Sequence, residues 1–160
     1  MRNMSFMLTT EQMRNRTKTV TRRLGWQFLK VGDRIRACVK CQGLKKGERV
    51  ETIGIIEVVD VRREKLIEMH NRTEYGKREA ILEGFGHLTG SGFVGMFTRD
   101  MKCRATDEVT RIQFVHVRSY SITLTDEEFE QLSDRSQHLR PTLSLSPGII
   151  ADVVIQREDG

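Results

Sequence analysis

The 160-residue chain has no apolar run approaching the roughly 18 residues that a membrane-crossing helix needs. Its first residues, Met1-Arg2-Asn3-Met4-Ser5-Phe6-Met7-Leu8, are basic and then only briefly apolar, too short and too interrupted for a signal peptide. The expectation is a soluble cytoplasmic protein without a membrane partner. Cysteine is scarce, at three residues: Cys38 and Cys41 form one C-x-x-C, and Cys103 lies far away. A structural zinc site takes four ligands, often from two such knuckles. The single knuckle falls in a strand-like stretch, where residues three apart point to opposite faces. The cysteines therefore read as ordinary thiols, with no metal and no cofactor expected. There is no internal repeat, no G-x-G-x-x-G, no Walker-type loop and no H-E-x-x-H, so dinucleotide-binding, P-loop and zincin readings lack support. His87 and His116 have no second ligand at metal spacing and read as simple polar residues.

What is present is charge, unevenly distributed. Residues 1–50 carry 13 Lys/Arg and 3 Asp/Glu, residues 51–118 carry 11 of each, and residues 119–160 carry 3 and 8. The overall +5 is thus the sum of a strongly basic first third, a neutral middle and an acidic tail. Concentrated positive charge attracts polyanions, although a solvated basic face is the commoner explanation of charge alone.

The apolar pattern suits one compact domain with a small appendage. Thr9-Thr10-Glu11-Gln12 has the spacing of a capping box and predicts a short helix over 9–15. The β-branched segment Thr19 to Arg23 reads as a strand. Val31-Gly32-Asp33 turns into a second strand, Arg34 to Val39, with Ile35, Ala37 and Val39 on one face. A basic loop, Gly43 to Glu48, precedes a long β-rich run from Thr52 to Arg62, nearly continuous in apolar residues and hence covered on both faces. Helical stretches follow over 64–80 and from Thr89 to Phe97, the latter with Phe93, Met96 and Phe97 in one stripe. Val109 to Val117 alternates as the last strand of the domain. The order predicts an α+β protein built around a small mixed β-barrel with flanking short helices.

On these residues the chain resembles the ASCH family of the PUA-like superfamily. The resemblance is carried by Thr17-Lys18-Thr19-Val20-Thr21-Arg22-Arg23, by Val31-Gly32-Asp33, by Gly43 to Glu48, by Glu83-Gly84-Phe85 and by the strand Val109 to Val117. It covers about residues 5–118, so the division expected is a domain over 1–118 and an extension over 119–160. It implies a PUA-like barrel with a cleft beside the K-T-x-T-x-R segment, and RNA or a modified nucleoside as partner. In some members that look like amidohydrolases of N4-acetylcytidine, the matching lysine, threonine and a helix glutamate do the chemistry.

The residue chemistry agrees in part. Thr21 and Arg23 share a strand face, and Lys18, at the turn before it, can swing to the same side. A lysine among cations is pushed toward its neutral form and becomes a base for a threonine hydroxyl. The candidate catalytic set is Lys18, Thr21 and Glu83. The helix aligned with the one bearing the family's glutamate, Leu88 to Phe97, holds no carboxylate, and Gly92 stands where an acid is expected. Glu83 or Glu57 is left to supply it. The candidate nucleic-acid set is Arg16, Lys18, Arg22, Arg23, Trp26, Lys45 and Lys46. Trp26 and Phe28 either stack on a base or pack in the core, and Tyr75 in its charged helix reads as surface packing.

In the extension, Ser119 to Leu124 alternates like a strand and Thr125-Asp126-Glu127-Glu128 caps a helix. Ser146-Pro147 opens a second helix over Gly148 to Arg157. This strand-helix-helix order loosely resembles a ribbon-helix-helix dimer, with Ser119, Ser121 and Thr123 as readers of DNA; a docked or homodimerising tail is the alternative. Three functions remain open from sequence. They are an RNA- or nucleotide-binding module, an RNA-directed hydrolase (N4-acetylcytidine amidohydrolase or ribonuclease), and a dimeric DNA-binding regulator.

Overall fold

The computed structural model describes residues 1–124, 142–146 and 149–157. By contacts the chain forms two compact units, Met1–Val115 and His116–Gly160. The class is mixed α+β.

In the first unit, β1 (Arg2–Ser5) is followed by a 3₁₀ turn (Met7–Thr9) and α1 (Thr10–Arg14), then β2 (Val20–Arg23), β3 (Arg34–Cys38) and β4 (Thr52–Lys65). Three helices come next, α2 (Glu68–Asn71), α3 (Thr73–Leu82) and α4 (Gly90–Met101), before the long strand β5 (Glu108–Leu124). The strand β1 was not foreseen: Arg-Asn-Met-Ser has no alternation, and it forms by parallel pairing on β3, Met4 opposite Ala37. The predicted alternation of β3 holds from Ile35 to Ala37, with Arg36 exposed between them, but breaks at Cys38, which is also buried, and Val39 lies beyond the strand and is half-buried. Thr9 is the N-cap of α1, but its hydroxyl makes no capping hydrogen bond. The helix expected over 64–80 begins later, because β4 continues to Lys65 and an extended Arg72 separates α2 from α3.

Antiparallel pairing joins β3 to β4 and β2 to β5. Along its hydrogen bonds the sheet is open and not a closed barrel. A side chain links its margins: Arg23 Nη2, on β2, donates to the carbonyl of Ser5, on β1, at 2.5 Å. Two apolar clusters lie in this unit. One gathers Met4, Phe6, Met13, Ile35, Ile56, Val58, Ile112 and Phe114 on the sheet. The other gathers Leu66, Met69, Tyr75, Phe93, Val94, Phe97 and Val109 around the helices. Phe93 and Phe97 occupy the predicted stripe of α4, and the Thr89 hydroxyl caps that helix by accepting from the Gly92 amide at 3.0 Å. Its glycines serve packing: a Cβ on Gly90 would stand 1.9 Å from the Met69 carbonyl oxygen, so only glycine lets α4 approach this closely.

In the second unit the expected strand-helix-helix order is not found. Residues 119–124 are not a separate strand but the end of β5, and β6 (Thr142–Ser146) and β7 (Ile149–Arg157) follow. The segment expected as the second helix is thus strand β7, parallel to β5 with Ile122 opposite Ile155 and antiparallel to β6. The reason lies in Ile149, Ile150, Val153, Val154 and Ile155, β-branched residues that favour a pleated surface over a helix. Pairing of Ser119 and Ser121 with β7 of the same chain replaces the between-chain ribbon that the DNA-reading comparison required. The helix expected from Thr125 lies outside the described residues. Among the described residues, no helix is long and apolar enough to cross a membrane.

Candidate functional site

The K-T-x-T-x-R segment reaches its position through the backbone. The Thr19 amide donates to the carbonyl of Leu82 at the end of α3 (3.0 Å), and the Phe114 amide on β5 donates to Thr19 (2.9 Å). Glu83, the C-cap of α3, is thereby set beside Lys18. The following Gly84 has φ +85, a left-handed conformation suited to glycine, and a Cβ there would also press on Gln12 at 3.0 Å. This turn redirects the chain so that the Phe85 ring lies 5.9 Å from Lys18 Nζ.

Lys18 is 2% exposed. Its ammonium nitrogen donates to Glu83 Oε2 at 2.7 Å and to the Glu83 carbonyl at 2.5 Å. Burial pushes its pKa below the ordinary lysine value; Glu83 opposes this, and Arg23 and Arg22 add to it. Thr21 is also buried, and both line a cavity of about 630 Å³. That volume falls within the range of small-ligand sites. The cavity lies where the two apolar clusters meet, with Phe6 from one and Phe93 and Phe97 from the other. Glu83, Arg22 and Arg23 also line it, with Asp100 and Met101 from α4. Arg23 stands 5.0 Å over the Phe6 ring, and its buried Nε has no partner among the described residues. Burial lowers the Arg23 pKa from its ordinary value.

Arg22 was expected to meet phosphate. It is instead buried to 0% side-chain exposure among three carboxylates. Its Nη1 contacts Glu83 Oε1 at 3.2 Å, its Nη2 contacts Glu79 Oε2 at 2.7 Å, and its Nε donates to Glu64 Oε1 at 2.8 Å. Burial disfavours this cation, but Glu83, Glu64 and Glu79 outweigh it and hold the pKa above the ordinary arginine value. Glu79 also receives Arg111 through both oxygens, at 2.7 and 3.0 Å. Burial raises the Glu79 carboxyl, yet Arg111 and Arg22 prevail and hold it below its ordinary value. Tyr75, read from sequence as surface packing, is buried; its hydroxyl donates to Glu64 at 2.6 Å and accepts from Arg22 at 3.0 Å.

The structure therefore brings Lys18, Thr21, Glu83, Arg22 and Arg23 to one cavity and leaves Arg16, Trp26, Lys45 and Lys46 outside its lining. Arg16 sits at φ 60 in the turn before Lys18 and does not line the cavity. Trp26 packs against the sheet cluster, its ring 5.4 Å from Phe28. Lys45 and Lys46 are exposed on their loop. Glu57, the other candidate acid, is paired with Arg34 at 2.8 Å. The carboxylate hydrogen-bonded to Lys18 is Glu83 at the end of α3, while Leu88 to Phe97 holds none and α4 brings only Asp100 to the cavity wall. Cys38, Cys41 and Cys103 are free thiols, and among the described residues no three His, Cys, Asp or Glu side chains gather as a metal site.

Sequence reasoning missed Glu64, Glu79 and Arg111. One signal was available: Tyr75, Glu79 and Glu83 recur every four residues, placing them on one face of α3. Comparison with family models, with curated proteins and with solved structures finds no match to this chain.

Proposed function

We propose that the protein is an amidohydrolase that removes the acetyl group from N4-acetylcytidine, with Lys18, Thr21 and Glu83 as its working residues. The observation that carries this reading is the burial of Lys18 and Thr21 at one cavity with Glu83 hydrogen-bonded to the lysine. The ASCH resemblance of the same segment supports it, and in this reading the open sheet is a variant of the PUA-like barrel.

The chemistry follows from the side chains. Lys18, its pKa lowered by burial, takes the proton of Thr21 Oγ1. The oxygen attacks the acetyl carbonyl carbon, and the negative charge on the carbonyl oxygen is met by the guanidinium of Arg23, which lines the cavity. The C–N4 bond breaks as Lys18 returns the proton to N4, releasing cytidine. Water then attacks the acetyl-threonine ester, Lys18 takes the water proton, and acetate leaves as the proton returns to Thr21. Glu83 holds the lysine amine in place through both of its oxygen contacts.

The test is incubation with N4-acetylcytidine, with cytidine and acetate measured by chromatography. Release that disappears in Lys18→Met and in Thr21→Ala supports the reading; no release at any pH between 6 and about 10, across which lysine bases titrate, overturns it. A second reading, RNA binding, is favoured by one observation, the exposed Lys45 and Lys46 in the basic first third of the chain. Phosphate contacts release counterions, so that binding weakens steeply with salt. Absence of binding at low salt in an anisotropy assay removes it.

A further inference from the structure

The buried ion network behind the cavity is larger than the proposed chemistry needs. Six charged side chains form it: Lys18, Arg22 and Arg111 against Glu64, Glu79 and Glu83, three of each sign. Buried charge is retained only when partnered, and such networks act as units. The point where this one meets the cavity is Glu83. Its two carboxylate oxygens are divided, Oε2 to Lys18 at 2.7 Å and Oε1 to Arg22 at 3.2 Å.

We infer that Arg22 is a positioning residue for Lys18: by taking one oxygen of Glu83 it fixes the carboxylate for the lysine, and its cation governs the proton that Lys18 carries. This inference rests on the proposed amidohydrolase for its catalytic meaning, though not for its physical content. Arg22 is itself fixed. Glu64 on β4 takes its Nε, Tyr75 and Glu79 on α3 take its Nη2, and Arg111 on β5 locks Glu79 from the far side. Held by these contacts in the cavity wall, it acts on Lys18 through Glu83 and through its field. The charged groups around Lys18 include Arg22 and Arg23 from β2, Glu83 from the end of α3, and Asp100 from α4 on the same cavity. Removing the Arg22 charge leaves Lys18 facing carboxylates that are less neutralised, and carboxylates favour the protonated amine.

The experiment reads the Lys18 proton directly, by following its side-chain ¹³Cε NMR shift against pH in the full-length protein, with Lys18→Met to assign the signal. In Arg22→Met the Lys18 titration moves up by about one pH unit. In Arg22→Lys, which keeps the charge, it moves by much less. An unchanged titration in folded Arg22→Met overturns the inference. If Arg22→Met does not fold, Glu64→Gln decides: it removes a negative charge behind Arg22, and the Lys18 titration moves down, while an unmoved titration again overturns the inference. Because the signal is independent of turnover, an inactive protein with a shifted lysine refutes the amidohydrolase reading alone. An active protein with an unshifted lysine refutes only the role of Arg22. In an active enzyme, the acid limb of the kcat/KM profile follows the NMR titration in each variant.

Discussion

Lys18 Nζ lies 2.7 Å from Glu83 Oε2, and both side chains are 3% exposed, although 65 residues separate them. A buried lysine paired with Glu83, and flanked by Arg22 and Arg23, is held toward its neutral form by burial and by those cations. The sign of the pH dependence follows. In the proposed amidohydrolase, Lys18 below its depressed pKa is protonated and cannot accept the Thr21 proton, so deacetylation rises with pH through a limb below the ordinary lysine value of 10.5. Lys18→Met and Thr21→Ala each abolish turnover, and Thr21→Ala leaves the melting temperature nearly unchanged. A pH–rate profile on N4-acetylcytidine, with thermal melts of both variants, checks this.

Glu79 is the shared partner of two buried arginines. Glu79→Ala leaves both without it, and breaking a buried pair in this way costs about 3–5 kcal/mol. The Glu79 carboxyl is held below its ordinary 4.5, so the unfolded state binds more protons near that pH. Its contribution is fully present above 4.5 and is lost as pH falls through the depressed native value. Urea denaturation at pH 7 shows a large loss for the variant, and the gap to the parent protein narrows in acid. Equal midpoints at pH 7 contradict the role.

Gly76 and Gly90 mark the contact of three helices. A Cβ on either would stand 1.8 or 1.9 Å from the Met69 carbonyl oxygen, which is backbone and cannot yield without moving α2. Gly76→Ala and Gly90→Ala each destabilise by at least about 1–3 kcal/mol, the usual cost of overpacking. Gly95 lies in the same helix as Gly90 with nothing within 4 Å of its Cβ position. Gly95→Ala gains up to about 1 kcal/mol from helix propensity. Thermal unfolding of the three variants separates the signs.

Lys45 and Lys46 are exposed and lie outside the cavity lining. Lys45→Glu with Lys46→Glu leaves kcat/KM on free N4-acetylcytidine within about twofold, as expected of surface changes away from a site. The same double change lowers affinity for single-stranded RNA if that loop carries it, and reduces the slope of affinity against salt by about two contacts. A matched fall in nucleoside turnover places the loop at the site and contradicts this assignment.

Strand β3 and the buried stripe of α4 were legible because alternation and 3–4 spacing are local records of which side is dry. The segment 149–157 was not, because a Ser-Pro start favours a helix locally while its β-branched residues favour a strand. Pairing with β5 and β6 decides between them. Strand β1, without any pattern, exists only because β3 offers it an edge.

The sequence by itself determined the α+β class and the positions of β2, β3, β4 and α4. It did so because propensity and hydrophobic period act within a few residues. Only the tertiary structure decided that the open edge of the sheet is bridged by Arg23, that the carboxylate meeting Lys18 is Glu83 from the end of α3, and that Arg22 is buried among carboxylates. Whether a charge is buried depends on the partners waiting for it, and those of Arg22 lie 42 to 61 residues away in the chain. No local pattern around Arg22 contains Glu64, Glu79 or Glu83; the fold brings them together, and their carboxylates make burial of the arginine possible.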